Sequence, residues 1–475
     1  MIRIAAPLRT DNITIILTLK DSWMKTHILT IAMAALLTAT PAWAQEPVRS
    51  WSLEECIEHA INHNIAIKQK EHEQEIKKVD LHTQKHSWLP AVNASMGQSF
   101  QFGRSSTKSG LIVDQNAANS SLNINLDMPI FDGLKTHYSI AASRLNLKAA
   151  TQTLDKAKED LSINVTSFYL QALYQKELLK IAELQVALDQ EQVGKTEALV
   201  QSGKVPESQL YDIKAQLAKD EVTLTEAQNN AKLALLDLAQ SLELEQSQEN
   251  FDIQMPLIED AILANMSSLL PPDLIYNNAV CVKPQIKELE YLLESQKKML
   301  RVAQADFYPK LNFGASYSNG YYHTSKGAGE FIDNRSFKDQ LKQNGQKIVG
   351  FSLSIPLFNR FQVRNNVKQA RINISNRELM IEDSKKSLYK EIQKAYFDAS
   401  AAQKKYQASD KAVAASQQAF TYAQQRYSAG KSNVFEFNEA KTKYAQSMAE
   451  QSQAKYEFIF RAKILDFYNG TPIHL

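Results

Sequence analysis

Short runs of strict apolar and polar alternation stand between long segments of helical spacing, and they do so once in each half of the chain. In SLNINLDMPI, 121 to 130, Leu122, Ile124, Leu126 and Met128 fall on one face and Asn123, Asn125 and Asp127 on the other. That period of two is the period of a strand. VNASMGQSFQFG, 92 to 103, alternates likewise and predicts its partner. The second half repeats the pattern, with Leu311, Phe313, Ala315 and Tyr317 against Asn312, Gly314, Ser316 and Ser318. Its partner sets Phe351, Leu353 and Ile355 against Ser352 and Ser354.

Around these strands the spacing is helical. Segment 51 to 88 reads as helix and stops at Trp88-Leu89-Pro90, because the residue before a proline is pushed out of the helical region. From Asp132 to Gly203, and again from Asn359 to Gly430, run helices of about seventy residues, each on the order of 100 Å long. Asp132 and Asn359 stand where N-caps are wanted. Returning helices of roughly forty residues start at Pro206 and Asn433, and a leading segment 273 to 306 matches 51 to 88. Leu210, Ile213, Leu217, Leu224, Ala227, Ala231, Ala234 and Leu238 recur by threes and fours, with Asp220 breaking the series. A period near 3.5 is that of a coiled-coil seam.

The two halves are copies. Gly203 and Gly430, Tyr169 and Tyr396, and Pro129 and Pro356 all lie 227 positions apart. Upstream, Pro90 and Pro309, like Ala60 and Ala279, lie 219 apart, so one intervening loop is eight residues longer in the second copy. A repeat of this size is a domain, not a solenoid unit. The expected organisation is a leader over 1–44, a first repeat over 45–246, a linker over 247–270 and a second repeat over 271–475.

RYSAGKSNVFEFNEAK, 426 to 441, contains a Gly-Lys-Ser that invites a phosphate-loop reading. That loop needs a second glycine five positions earlier, where Gln425 stands, and a strand in front, where the Ala- and Gln-rich run reads as helix. The better reading is a reversal, with Gly203 and Gly430 adopting the left-handed conformation at the end of each long helix. Pro206 suits the first position of one returning helix, and Asn433 with Glu436 suits a capping box on the other.

Met24 to Ala44 has a lysine, an apolar run and an Ala-Trp-Ala ending, the layout of a cleaved secretory signal. Residues 1–23 ahead of it suggest a start placed too early, and no cysteine follows the cleavage site to carry a lipid anchor. Removing 1–44 takes away four basic and two acidic residues and leaves equal numbers of each, which argues against nucleic acid as a partner. Two cysteines, Cys56 and Cys281, make no disulfide framework, and their pairing stays open. Cys56, His59 and His63 share a helical face at a spacing that could hold a metal, and His82 and His86 form a second pair. Neither has the carboxylate of a zinc-protease helix, and no nucleophile elbow or paired catalytic carboxylates stand out. The expectation is a protein without active site, cofactor or metal.

Strands of about ten residues with one apolar face, linked by a long polar loop, match the outer-membrane barrel signature. A secreted chain without a spanning helix reaches lipid as a closed barrel. Four strands cannot close one, so copies must share it; two chains give about eight strands with a filled interior, and three give about twelve and begin to leave a lumen.

A secreted, duplicated chain with helix, two strands, long helix, glycine turn and returning helix in each half resembles the TolC family of outer-membrane efflux and secretion channels. The resemblance covers essentially the whole mature chain. Its most specific parts are TEALVQSGKVPESQLYDIKA, RYSAGKSNVFEFNEAK and the strand ends MPIFDG and IPLFNR. It implies a mainly α fold with a transmembrane β-barrel contribution: a homotrimer with a twelve-stranded barrel in outer-membrane lipid, continued by an α-helical tunnel through the periplasm. It also implies docking on a periplasmic adaptor and an inner-membrane pump. In the family the tip closes like an iris, and the residues that map onto that role are Tyr427, Glu436 and Glu439. The family's arginine position is Ser432 here and its first-turn acidic position is Gln209, so the closing network must differ. Glu436 has the capping box as a second explanation; Glu439 has none. Gly203, Lys204, Gly430, Lys431 and Ser432 form the turns an adaptor would meet, although solvated tip lysines are an equal reading. The alternative function is a coiled-coil spacer or adhesin stalk of the envelope, which would leave the four amphipathic strands unexplained.

Overall fold

A computed structural model of the chain describes residues 49–106, 110, 112–244, 251–255, 269–326 and 334–473. The leader and most of the 247–270 linker lie outside the described residues. The first half runs β1 (Arg49–Trp51), α1 (Leu53–His63), α2 (Ile65–His86), β2 (Ala91–Gln101), β3 (Arg104–Ser106), β4 (Ile112–Asp114), β5 (Asn116–Phe131), α3 (Lys135–Gln201) and α4 (Glu207–Ser241). After β6 (Phe251–Ile253), the second half runs α5 (Pro272–Val282), α6 (Pro284–Ala305), β7 (Lys310–Lys326), α7 (Phe337–Gln343), β8 (Gln346–Ser354), α8 (Gln362–Ser428) and α9 (Val434–Tyr468). Both leading segments are 11 plus 22 residues, both long helices 67 and both returning helices 35.

The leading helix is broken where the sequence reading had it continuous. Asn64 and Lys283, 219 positions apart, take the same extended backbone, φ −60° and ψ 131° against φ −64° and ψ 127°. The two copies hold that break by different chemistry. Asn64 Oδ1 accepts from the Ala66 and Ile67 amides at 2.9 and 3.3 Å. Lys283 makes no side-chain cap and relies on Pro284 at the first helical position, whose ring also forces the residue before it to be extended.

The entry to the long helices also differs from expectation. The caps are Leu134 and Phe361, both left-handed, at φ 68° and 60°, preceded by left-handed Gly133 and Arg360. Asp132 still serves the helix start, since its Oδ2 accepts from the Thr136 amide at 2.8 Å. Asn359 offers only its carbonyl, to the Gln362 amide at 3.0 Å. Pro206 stands at the N-cap of α4, one position before the expected place.

The four long strands form one antiparallel sheet in the order β2-β5-β7-β8. Their register aligns the alternation of all four. Val92, Leu126, Ala315 and Val349 form one row across the sheet, and Met128, Phe313 and Phe351 another on the same face. Asn93, Asn125 and Ser316, and Ser95, Asn123 and Ser318, line the opposite face. β5 and β7 are longer than the alternation suggested, 16 and 17 residues. In the longer loop of the second copy, α7 is fastened to β7 by Gln340, which exchanges hydrogen bonds of 2.9 Å with the Tyr322 backbone, and by Asn319 to the Leu341 carbonyl at 2.8 Å.

Two apolar clusters lie where leading, long and returning helices meet. One gathers Leu53, Cys56, Val165, Tyr169, Leu173, Leu238 and Phe458; the other gathers Ile275, Ala279, Ile286, Leu388, Ile392 and Leu465. Tyr169 donates to the carbonyls of Trp51 and Gln254, 3.2 and 2.8 Å away, and so ties α3 to the small β1–β6 sheet.

Candidate functional site

The site begins with the two turns. Gly203 and Gly430 have φ 69° and 68°, and an added Cβ would meet nothing within 4 Å, so conformation and not space demands glycine there. At each turn the amide after the glycine reaches back five residues, Lys204 to the Leu199 carbonyl at 2.9 Å and Lys431 to the Arg426 carbonyl at 2.8 Å. The glycine amides bond the Val200 and Tyr427 carbonyls at 2.9 and 3.0 Å. Together these close Schellman turns. Lys204 and Lys431 are exposed on both.

The capping box on α9 is half realised. Asn433 Oδ1 accepts from the Glu436 amide at 2.9 Å. The Glu436 carboxylate, instead of returning to the Asn433 amide, accepts from the Ser432 hydroxyl at 2.6 Å and from Arg426 at 3.2 Å. The serine at the family's arginine position therefore serves the same carboxylate as an arginine six residues earlier, at the end of α8. Tyr427 is half-buried and stacks on Phe437, ring centroids 5.2 Å apart, and Phe437 in turn packs on Phe420. Glu439 is exposed and Gln209 half-buried. Val434 is buried, whereas Phe435 beside it is 75% exposed.

The feature that sequence reasoning missed lies about two to four turns behind this tip. Asp220, read as a flaw in the apolar series of α4, is buried and accepts from Lys441 of α9 at 2.7 Å. Lys441 also donates to Asp189 of α3. Asp220 on the seam was the available signal, since a buried carboxylate demands a partner; the partner's position was not readable from spacing.

Of the other candidates, Cys56 is buried and Cys281 exposed, and both are free; burial pushes the Cys56 thiol up to about 12. His59 and His63 stack with centroids 4.0 Å apart, and His63 Nδ1 lies 2.9 Å from the His59 carbonyl. Among the described residues no group of three or more His, Cys, Asp or Glu could hold a metal ion, and no helix is long and apolar enough to cross a membrane.

The sheet supplies the other half of the site. β2 and β8 bound it with no strand beyond them among the described residues, and every residue of both is exposed. An unpaired edge carrying Val92, Met96 and Phe100 on one side, and Val349, Phe351 and Leu353 on the other, is a template for another strand.

Comparison with known proteins agrees with this geometry. The chain is 25% identical over 419 residues, 87% of its length and 82% of the relative's, to Protein CyaE of Bordetella pertussis. Among solved structures it resembles the Campylobacter jejuni CmeC outer membrane channel, with TM-score 0.69 and 17% identity over 90% of each chain. It also resembles the open state of the Neisseria gonorrhoeae MtrE outer membrane channel, with TM-score 0.65 and 17% identity over 88% of each. Family and fold are those of a channel protein of the outer membrane that extends into the periplasm. With the outer membrane efflux protein model matching residues 56–243 and 275–465, both halves included, the chain belongs to the outer membrane efflux protein family.

Proposed function

We propose that three copies of this chain form the exit duct of a tripartite efflux or type I secretion assembly, with the helical tips docked on a periplasmic adaptor served by an inner-membrane pump. The observation that carries this reading is the sheet: four strands in register, one face apolar and one polar, with both edges open. In lipid every backbone polar group must be paired, so β8 of one copy has to meet β2 of the next until the ring closes. Three copies give twelve strands around a polar lumen. The helices, 67 residues and so about 100 Å long, carry the lumen away from the membrane. A spacer or stalk has no use for an amphipathic sheet with open edges.

In this reading Tyr427, Glu436, Glu439 and Gln209 surround the periplasmic entrance, and Gly203, Lys204, Gly430, Lys431 and Ser432 form the docking turns. Paired cysteines introduced on β2 and β8 should crosslink the full chain in outer-membrane extracts into a ladder that ends at the trimer. A ladder ending elsewhere, or no crosslink, removes the shared barrel. A photo-crosslinker at Phe435, the exposed tip residue, should capture a periplasmic adaptor, and capture of envelope structural proteins alone would favour the spacer.

A further inference from the structure

Three charged side chains from three helices meet in the buried interior of the bundle. Lys441 of α9 donates to Asp189 of α3 and, at 2.7 Å, to Asp220 of α4, while Gln216 donates to the other Asp220 oxygen at 2.9 Å. Their side chains are 2%, 2% and 9% exposed. Asp189 Oδ2 has no hydrogen-bond partner. Two carboxylates thus share one ammonium, and the cluster carries a net negative charge where charge is expensive. Asp220 and Lys441 are the charged groups acting on Asp189. Lys219 and Glu226 of α4, with Gln446 of α9, line a cavity of about 360 Å³ alongside.

The duplication makes this cluster conspicuous, because it joins the two halves and its symmetry-related counterpart lacks the carboxylates. At the 227-residue offset Lys441 corresponds to Lys214, but Asp189 and Asp220 correspond to Ser416 and Ser447. Lys214 is exposed and pairs with Glu197 at 2.8 Å. The two serine hydroxyls donate within their own helices, to the Val413 and Lys443 carbonyls. The carboxylate seats therefore belong to the one seam at which α9 packs on the α3–α4 hairpin. They lie about 10 to 20 Å behind the tip turns, counted along the three helices.

We propose that Asp189, Asp220 and Lys441 form a proton-linked clasp that fixes the α8–α9 hairpin to the α3–α4 hairpin behind the tips and sets how readily the tip opens. What opening does for transport rests on the duct reading; the clasp itself does not. Swinging the start of α9 away from α3 and α4 draws Lys441 out and admits water to both carboxylates. Burial first, and the neighbouring Asp220 second, push the Asp189 carboxyl up to about 6 against the pull of Lys441. The clasped form therefore holds a proton more tightly than an opened, hydrated one. Clasping strengthens as pH falls through about 6, and weakens as it rises, the reverse of an ordinary salt bridge. One proton on Asp189 neutralises the cluster, and its hydroxyl can donate to Asp220.

The test uses the full chain in detergent with Cys281→Ser, leaving the buried Cys56, and spin labels at Tyr211→Cys and Phe435→Cys, which are exposed near the two tips. Distances are measured by electron–electron resonance at about pH 5 and about pH 8, on either side of the titration. The labelled parent should shift to longer distances at the higher pH. Asp189→Asn, which keeps the shape without the charge, should hold the short distribution at both, and Lys441→Met the long one at about pH 8, where both carboxylates are ionised and unpaired. No pH response in the parent, a response surviving in Asp189→Asn, or short distances in Lys441→Met at about pH 8 each overturn the clasp. If Lys441→Met fails to fold, Asp189→Asn still decides. Planar-bilayer recording separates the two readings. Conductance without pH response sinks the clasp and leaves the duct, whereas a distance response without conductance in any variant sinks the duct and leaves the clasp.

Discussion

Asp306 sits at the end of α6 and is held by two lysines from different elements. Lys135 at the start of α3 and Lys310 at the start of β7 each lie 3.0 Å from its Oδ1. Burial pushes its carboxyl up, but the hydrogen bonds and charges of Lys310 and Lys135 outweigh that and hold it below the usual carboxylate range. A folded-state value below the unfolded one adds stability that is present above the unfolded value and lost as pH falls through the folded one. Asp306→Asn should therefore cost about 1 kcal/mol near neutrality, discounted for its partial exposure, and the difference should shrink progressively as pH falls below about 4. Thermal unfolding of both proteins across that range measures it. At this scale legibility divides by sequence distance. Gly203 and Gly430 were readable because the turn's demand is local. Glu436 was readable as an acceptor but not in its partners, because Ser432 and Arg426 compete with the Asn433 amide and win. Lys441 was unreadable, since its carboxylates lie 252 and 221 residues away.

At the scale of elements, the same symmetry that revealed the duplication predicts which glycines matter. Gly430→Ala meets no atom and should cost only the left-handed backbone penalty of about 1–2 kcal/mol. Gly133→Ala carries that penalty too, but its Cβ would lie 2.6 Å from the Ala305 carbonyl oxygen and 2.9 Å from Tyr308 Cβ. Backbone cannot swing aside, so the cost should rise to about 2–5 kcal/mol. Denaturant unfolding in detergent would rank the two, and equal losses would show that α6 yields at this junction. At position 360 the second copy accepts an arginine in the same conformation, at φ 55°. Helix, strand and turn order was legible because each carries its own period or breaker. The break at Asn64 was not, because one asparagine in a helical pattern reads as weak propensity until its side chain is seen capping two amides. Pro284 carried the same information openly at the equivalent place, and comparing the copies residue by residue would have transferred it.

For the whole molecule, the decisive quantity is the difference between the two faces of the sheet. Leu126 lies in the row with Val92, Ala315 and Val349, and its neighbour Asn125 lies in the row with Asn93 and Ser316. If the first row faces lipid, an arginine there must be taken into hydrocarbon, at about 2–4 kcal/mol per chain near the midplane. In a ring of identical copies that penalty is paid at every repeat. Leu126→Arg should therefore deplete the protein from the outer-membrane fraction and weaken its assembled form to heat. On the same reading Asn125→Arg, one residue along, points into the lumen and should assemble normally while reducing the conductance of cations. Membrane fractionation, heated and unheated electrophoresis and bilayer recording read the three effects. If both variants assemble equally, the apolar face does not meet lipid, and the open edges of β2 and β8 would have to be paired somewhere other than in a membrane barrel. The alternation in the sequence named the faces within each strand; that the faces of all four strands coincide follows from the register, which joins the two halves at β5 and β7.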